Sequence, residues 1–193
     1  MTATASRLTG KQHEEATARQ TGDKTYPAPR QLATPTDLSP NGVRAIGAAV
    51  NALVADAFAL YIKTKNFHWH LAASHFRDYH LLFDEHADQI FATIDVLAER
   101  VRKIGGTTLR SIGHIAALQR VEDSNEAFVA PLEMVNQLLS DNKNMAANMR
   151  QAHEICEDYK DVATASVLEV FIDETERRTW FLYEVAQGSE TTV

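Results

Sequence analysis

From Phe76 to Val101 apolar residues recur at steps of three and four, namely Phe76, Tyr79, Phe83, Ala87, Ile90, Ile94, Leu97 and Val101. That spacing lines one face of an α-helix and fits no strand, whose side chains alternate with period two. Ser74 marks its start, and Gly105-Gly106 stops it. Three more segments carry the same rhythm. Ser39-Pro40 supplies an N-cap and a first-turn proline, and Val43, Ile46, Val50, Leu53, Phe58 and Leu60 follow, predicting a helix to about Trp69. Pro131 opens a third through Met134, Leu138, Met145, Met149 and Ile155, and Asp161 caps a fourth through Val167, Val170, Phe171, Trp180 and Leu182 to Gly188. Ile112, Ile115, Ala116 and Leu118 predict a short helix inside the connection between the second and third.

With no strand candidate, the pattern predicts an all-α four-helix bundle whose long second connection permits the crossover of ferritin-like folds. A length of 193 residues with 45% hydrophobic content supplies one domain with a sizeable core, and two full domains are not expected. Residues 1–36 are rich in Thr, Ala, Gln and Pro without apolar periodicity, which predicts a mobile tail, with the bundle at 37–188 and a short tail at 189–193. The N-terminal tail is mildly basic, with Arg7, Lys11, Arg19, Lys24 and Arg30 against Glu14, Glu15, Asp23 and the adjoining Asp37, while the chain as a whole carries a net charge of -7. That charge argues against a surface that coats nucleic acid. Cys156 is the only cysteine, so no intrachain disulfide forms, which fits a reducing cytoplasm. No secretory signal is read in Met1–Arg30. The apolar run Ala45–Ile62 is interrupted by Asn51 and Asp56 and reads as a buried helix, so no membrane span is predicted.

The chemistry concentrates in Asn66-Phe67-His68-Trp69-His70, Asp78 to Asp84 and Asp95 to Arg100. His80 and Asp84 are four residues apart, as are Asp95 and Glu99, so each couple projects from one side of the second helix within a turn. The eleven-residue step from Asp84 to Asp95 leaves an offset of about 20°, so all four share a stripe. They also span a rise of about 28 Å from His80 to Glu99, far beyond metal bonds of about 2 Å.

One helix cannot close such a site, but an antiparallel copy can. It would set the His80/Asp84 end of one chain beside the Asp95/Glu99 end of the other, twice per dimer, about a two-fold axis near Gln89 and Ile90. His68 precedes the second helix by a short loop and folds back beside His80 and Asp84 of its own chain. The resulting shell of imidazoles and carboxylates suits iron and also accepts zinc or manganese. Asp88 reads as a solvent-side carboxylate. His70, His75, His86, His114 and His153 read as capping, surface or core residues, and Met145 and Met149 as core.

Over roughly Asp37 to Gln187 the chain resembles the Dps mini-ferritins, DNA-binding proteins from starved cells. The specific match is Asn66-Phe67-His68-Trp69-His70 followed by His80-x-x-x-Asp84 and Asp95-x-x-x-Glu99. The resemblance implies an inter-subunit ferroxidase centre made by His68, His80, Asp84, Asp95 and Glu99. It implies an electron-donor role for Trp69, which packing at the dimer interface would equally explain. It further implies a hollow dodecamer built from antiparallel dimers, which oxidises ferrous iron with hydrogen peroxide, or more slowly dioxygen, and stores ferric mineral, protecting DNA and the cell. Acids near the start of the fourth helix would line an iron pore, for which Glu157, Asp158 and Asp161 are the candidates. No Glu-x-x-His occurs in the chain, so the intra-bundle di-iron motif of ordinary ferritin-like proteins is missing.

Two other functions fit the same sequence. A structural nucleoid protein with a vestigial metal site would condense DNA through the N-terminal tail, although the acids in that tail and the acidic core weigh against it. An assembly that buffers zinc or manganese would use the same ligands without oxidising them.

Overall fold

The computed structural model describes residues 29–188. Residues 1–28 of the N-terminal tail, the segment through which DNA binding was weighed and disfavoured, and the C-terminal residues 189–193 lie outside them. A 3-10 turn at Arg30–Leu32 precedes five α-helices: α1 Pro40–His70, α2 Phe76–Lys103, α3 Ile112–Leu118, α4 Pro131–Asp158 and α5 Val162–Gly188. No strand occurs among the described residues. Short loops make α1/α2 and α4/α5 antiparallel pairs, and α1 packs on α4 to join them while α3 lies on α1. The chain has the all-α, ferritin-like architecture, with the short helix where the sequence put it.

The ends follow local chemistry. Ser39 Oγ accepts from Gly42 N at 3.1 Å, and Pro40 occupies the first turn, where its missing N–H leaves nothing unpaired. Gly42 is needed there because a Cβ would meet the Tyr159 ring at 3.0 Å. Asp161 Oδ1 accepts from Thr164 N at 3.0 Å, and Asp161 also pairs with Arg100 Nη2 at 3.1 Å. That commits this buried carboxylate to capping rather than to lining a pore. α2 differs from expectation: its cap is His75, without a side-chain hydrogen bond, and not Ser74. The chain leaves α2 through Gly105 at φ +87°, where a Cβ would lie 2.7 Å from Thr34 O; Arg102 Nη2 donates to Leu32 O at 2.8 Å, tying residues 30–36 over this end.

Ile46, Val50, Leu53, Leu60 and Phe67 of α1 meet Phe83, Ile90, Leu97 and Val101 of α2, Met134, Leu138 and Met149 of α4, and Leu168 and Leu182 of α5. α1 is long and apolar enough to cross a membrane by length and composition, but half of its most apolar window is buried in this bundle. On α5 the expected face is displaced, since Val170 and Trp180 are exposed while Thr164, Leu168, Thr175, Arg178 and Leu182 are buried. Polar residues inside the buried stripe hid its period from a count of apolar positions. Phe76, expected on the core face of α2, is exposed and stacks on His80.

A polar layer crosses the interior. Lys63 Nζ lies 2.8 Å from Asp141 Oδ2, and burial nonetheless raises the Asp141 carboxyl above the usual range. Arg178 donates from Nε to Asn142 Oδ1 at 3.0 Å and from Nη2 to Thr175 Oγ1 at 2.7 Å, and its burial lowers the guanidinium to about 10. His86 is buried with Nδ1 unpaired, and burial, then the nearby Arg178 and Arg177 charges, depresses its imidazole to about 3. Cys156 is fully buried, and that burial, with Asp161 nearby, pushes its thiol up to about 12.

The crossover at 104–130 is fixed from α1. Asn51 Nδ2 donates to Thr107 O at 2.9 Å, and Asn66 Nδ2 to Ser124 O at 3.1 Å. Asp56 accepts from Arg120 N. The residues that break the apolar run of α1 are therefore anchors for the connection.

Candidate metal centre

The loop at 71–75 turns the chain so sharply that the last turn of α1 faces the first turns of α2. His68 and His80 meet there with ring centroids 3.7 Å apart and planes 20° from parallel. His68 Nδ1 lies 2.8 Å from His80 O, and His80 Nδ1 lies 3.1 Å from His68 O. A carbonyl only accepts, so each ring carries its proton on Nδ1 and keeps the Nε2 lone pair for a ligand. This is the outer arrangement that orients metal-binding imidazoles, in which a backbone acceptor fixes tautomer and ring plane. Phe76 stacks on the other side of His80, centroids 4.8 Å apart.

Asp84 completes the cluster, with Oδ1 3.8 Å from His68 Nε2 and a side chain 42% exposed. Lys65 Nζ donates to Asp84 Oδ1 and stands 4.0 Å from Asp88 Oδ1. The hydrogen bond from Lys65 holds the Asp84 carboxyl below the usual carboxylate range and raises the Lys65 ammonium in return. The sequence reading missed Lys65, although its position one turn before His68 on α1 was a signal for it.

Asp95 and Glu99 lie on the same outer face of α2, both exposed, and Glu99 Oε2 accepts from Lys103 at 2.9 Å. They do not join the histidines. Among the described residues no three His, Cys, Asp or Glu side chains converge on a metal position, His68, His80 and Asp84 included, and Asp84 Oδ1 is held by Lys65; the axial rise along α2 keeps Asp95 and Glu99 away from them. His80, Asp84, Asp88, Phe91, Asp95 and Glu99 run in steps of three and four along this face, whereas the Ile90 side chain points into the core. Apolar groups flank the stripe in the open: Ile62, Trp69, Leu81, Phe91 and Val96 are all exposed. Trp69 stands beside His68 with 62% exposure.

The other histidines separate from this centre. His70 Nδ1 donates to Asn66 O at 2.9 Å. His153, expected to have no ligand partner at helical spacing, has Nδ1 3.7 Å from Glu157 Oε2 and Nε2 3.1 Å from Glu169 Oε1. Glu157 is therefore engaged in that cluster.

The ferritin-like domain family matches residues 47–190. The chain is 29% identical over 140 residues to a low temperature-induced protein of Nostoc, covering 72% of this chain and 78% of that one. It is 28% identical over 137 residues to a DNA protection during starvation protein of Brevibacillus brevis, covering 71% and 91%. The solved structure of Dps from Thermosynechococcus elongatus is similar with a TM-score of 0.73 at 26% identity, covering 75% of this chain and 92% of that chain. With a family match over most of its helices and the same fold as its Dps relatives, the chain belongs to the ferritin-like domain family and, within it, to the Dps proteins.

Proposed function

We propose that the protein is an iron-sequestering ferroxidase that oxidises Fe(II) with hydrogen peroxide, or more slowly dioxygen, at sites shared between subunits. Its substrate is the ferrous ion. His68, His80 and Asp84 of one subunit form half of each site, and Asp95 and Glu99 of an antiparallel partner form the other half. The pair of imidazoles clasped through each other's carbonyls carries this reading, because it leaves the Nε2 lone pairs of two stacked rings for a ligand, that of His68 3.8 Å from Asp84 Oδ1. The exposed apolar residues around the stripe support its burial against a second copy.

Neutral imidazoles favour capture of the ferrous ion, and carboxylates stabilise the added charge of the ferric product. Two ferrous ions, held alike or one tightly and one loosely, each give up one electron to one peroxide. Its O–O bond breaks and, with two protons taken up, it leaves as two waters, so no hydroxyl radical is released. Trp69, open beside His68, is placed to donate an electron to any stray oxidant. A closed homo-oligomer, a dodecamer in this reading, would retain the ferric product as mineral in the cytoplasm, and DNA would be protected by removal of iron and peroxide.

The test is anaerobic ferrous oxidation followed optically after addition of peroxide. His80→Ala/Asp84→Ala is expected to abolish the fast phase. Unchanged kinetics would overturn the assignment, and DNA condensation without iron turnover would favour the nucleoid alternative.

A further inference from the structure

Arg178 is 2% exposed and keeps its positive charge at neutral pH, although burial lowers the guanidinium to about 10. Its hydrogen-bond partners are uncharged. Nε donates to Asn142 Oδ1 and Nη2 to Thr175 Oγ1, which occupies one edge of the planar fork. Nη1, on the other edge, is fully buried and has no acceptor among the described residues. The acid that supports the charge, Glu174, stands one turn earlier on α5, is exposed, and acts through its field alone. On α2, His86 is also 2% exposed, and its Nδ1 likewise has no partner among the described residues. The two side chains are near enough for the guanidinium charge to act on the imidazole. Phe83 and Ile90, a turn to either side of His86, and Leu182, a turn beyond Arg178, are buried and apolar. An unbalanced charge in such a setting is among the costliest features a fold carries, and a bound counter-ion offsets it.

We propose that Arg178 Nη1 and the Nδ1–H of His86 bind a small monovalent anion, chloride or a like halide, inside the bundle between α2 and α5. Charge and donors select the class. One guanidinium balances one negative charge, whereas sulfate or phosphate brings more charge and oxygens for which the apolar surroundings hold no donors. Water satisfies the same N–H groups but leaves the charge unbalanced. The neutral imidazole donates when its proton sits on Nδ1, so the anion meets N–H groups from two helices and ties the α4/α5 hairpin to α2. The site is closed to solvent, so the ion enters as α2 and α5 part locally and the neighbouring side chains yield to seat it. It uses none of the residues of the proposed seam and stands or falls apart from it.

The test is thermal unfolding of the assembled protein at about pH 8, where His86 is neutral in both folded and unfolded chains. Sodium gluconate, whose anion is too large to enter, is exchanged for sodium chloride at constant ionic strength. Replacing about 0.5 M gluconate by chloride is expected to raise the wild-type melting temperature by a few degrees, with saturation. Bulk salt effects act equally on Arg178→Met, which should lose the specific rise. Arg178→Gln repeats the measurement if the methionine variant folds poorly. Wild-type crystals soaked in sodium bromide should show an anomalous peak within hydrogen-bonding reach of Arg178 Nη1 and His86 Nδ1, whatever the variants do. A wild type that gains no more from chloride than the neutral variants, or bromide peaks at the surface alone, would overturn the proposal.

Discussion

Asp56, fully buried in the middle of α1, accepts from the backbone N–H of Arg120 at 2.6 Å and from its Nε and Nη2 at 2.9 and 2.6 Å. One carboxylate thus closes the connection between α2 and α4 onto the bundle. Asp56→Ala removes these charge-assisted bonds. Because Arg120 is 42% exposed and can return to water, the expected cost is about 2 kcal/mol rather than the larger penalty of a buried unpaired charge. Urea unfolding measures the loss, and limited proteolysis should show earlier cutting within 104–130.

His86 makes stability fall on acidification. Its folded imidazole is depressed to about 3 by burial and then by Arg178 and Arg177, whereas the unfolded chain titrates near 6.5. Between those values the unfolded state takes up a proton that the folded state refuses, so stability rises with pH there and is unaffected above about 6.5. The expected contribution is a loss of about 2 kcal/mol on going from pH 7 to pH 5. His86→Phe should flatten this part of the curve of unfolding free energy against pH; a slope that is unchanged would show that other groups set it.

Shared sites predict complementation between defective subunits. Alone, neither His80→Ala/Asp84→Ala nor Asp95→Ala/Glu99→Ala has an intact site. A mixed antiparallel dimer has one intact site and one in which both halves are broken, so equal co-assembly should restore about a quarter of wild-type fast ferrous oxidation. A site contained in one subunit would give no restoration on mixing.

Lys160 sits at φ 63°, past the end of α4, where Asp161 N bonds back to Cys156 O at 2.9 Å and Lys160 N to Glu157 O at 3.0 Å. A left-handed residue in this helix-ending turn favours glycine. Lys160→Gly is expected to stabilise the fold by about 0.5 to 1 kcal/mol, read as a rise in melting temperature.

The long helices were legible because each had an apolar stripe and a punctuating residue at its end, such as Ser39-Pro40 for α1 and Gly105 for α2. α5 was legible in extent but not in orientation, since Arg178, Thr175 and Thr164 occupy its buried face through hydrogen bonds that no apolar count reveals. At the candidate centre, His68, His80 and Asp84 could be grouped from spacing and a short loop. The carbonyl clasp could not, because it depends on how the last turn of α1 meets α2 in space. Lys65 was hidden for the same reason: a lysine on a helix is ordinary until the fold lays it on a particular carboxylate. Asp56 and Asn51 were visible only as interruptions, and their partners lie in a connection whose path the sequence left open.

The sealed position of Cys156 has a chemical consequence for a protein proposed to work among iron ions and peroxide. With its thiol pushed up to about 12, roughly one molecule in a hundred thousand carries a thiolate at neutral pH, and the sulfur sits where no reagent reaches it. The chain's single thiol is accordingly withheld from oxidants, and subunits that meet them repeatedly should not become cross-linked to one another through disulfides.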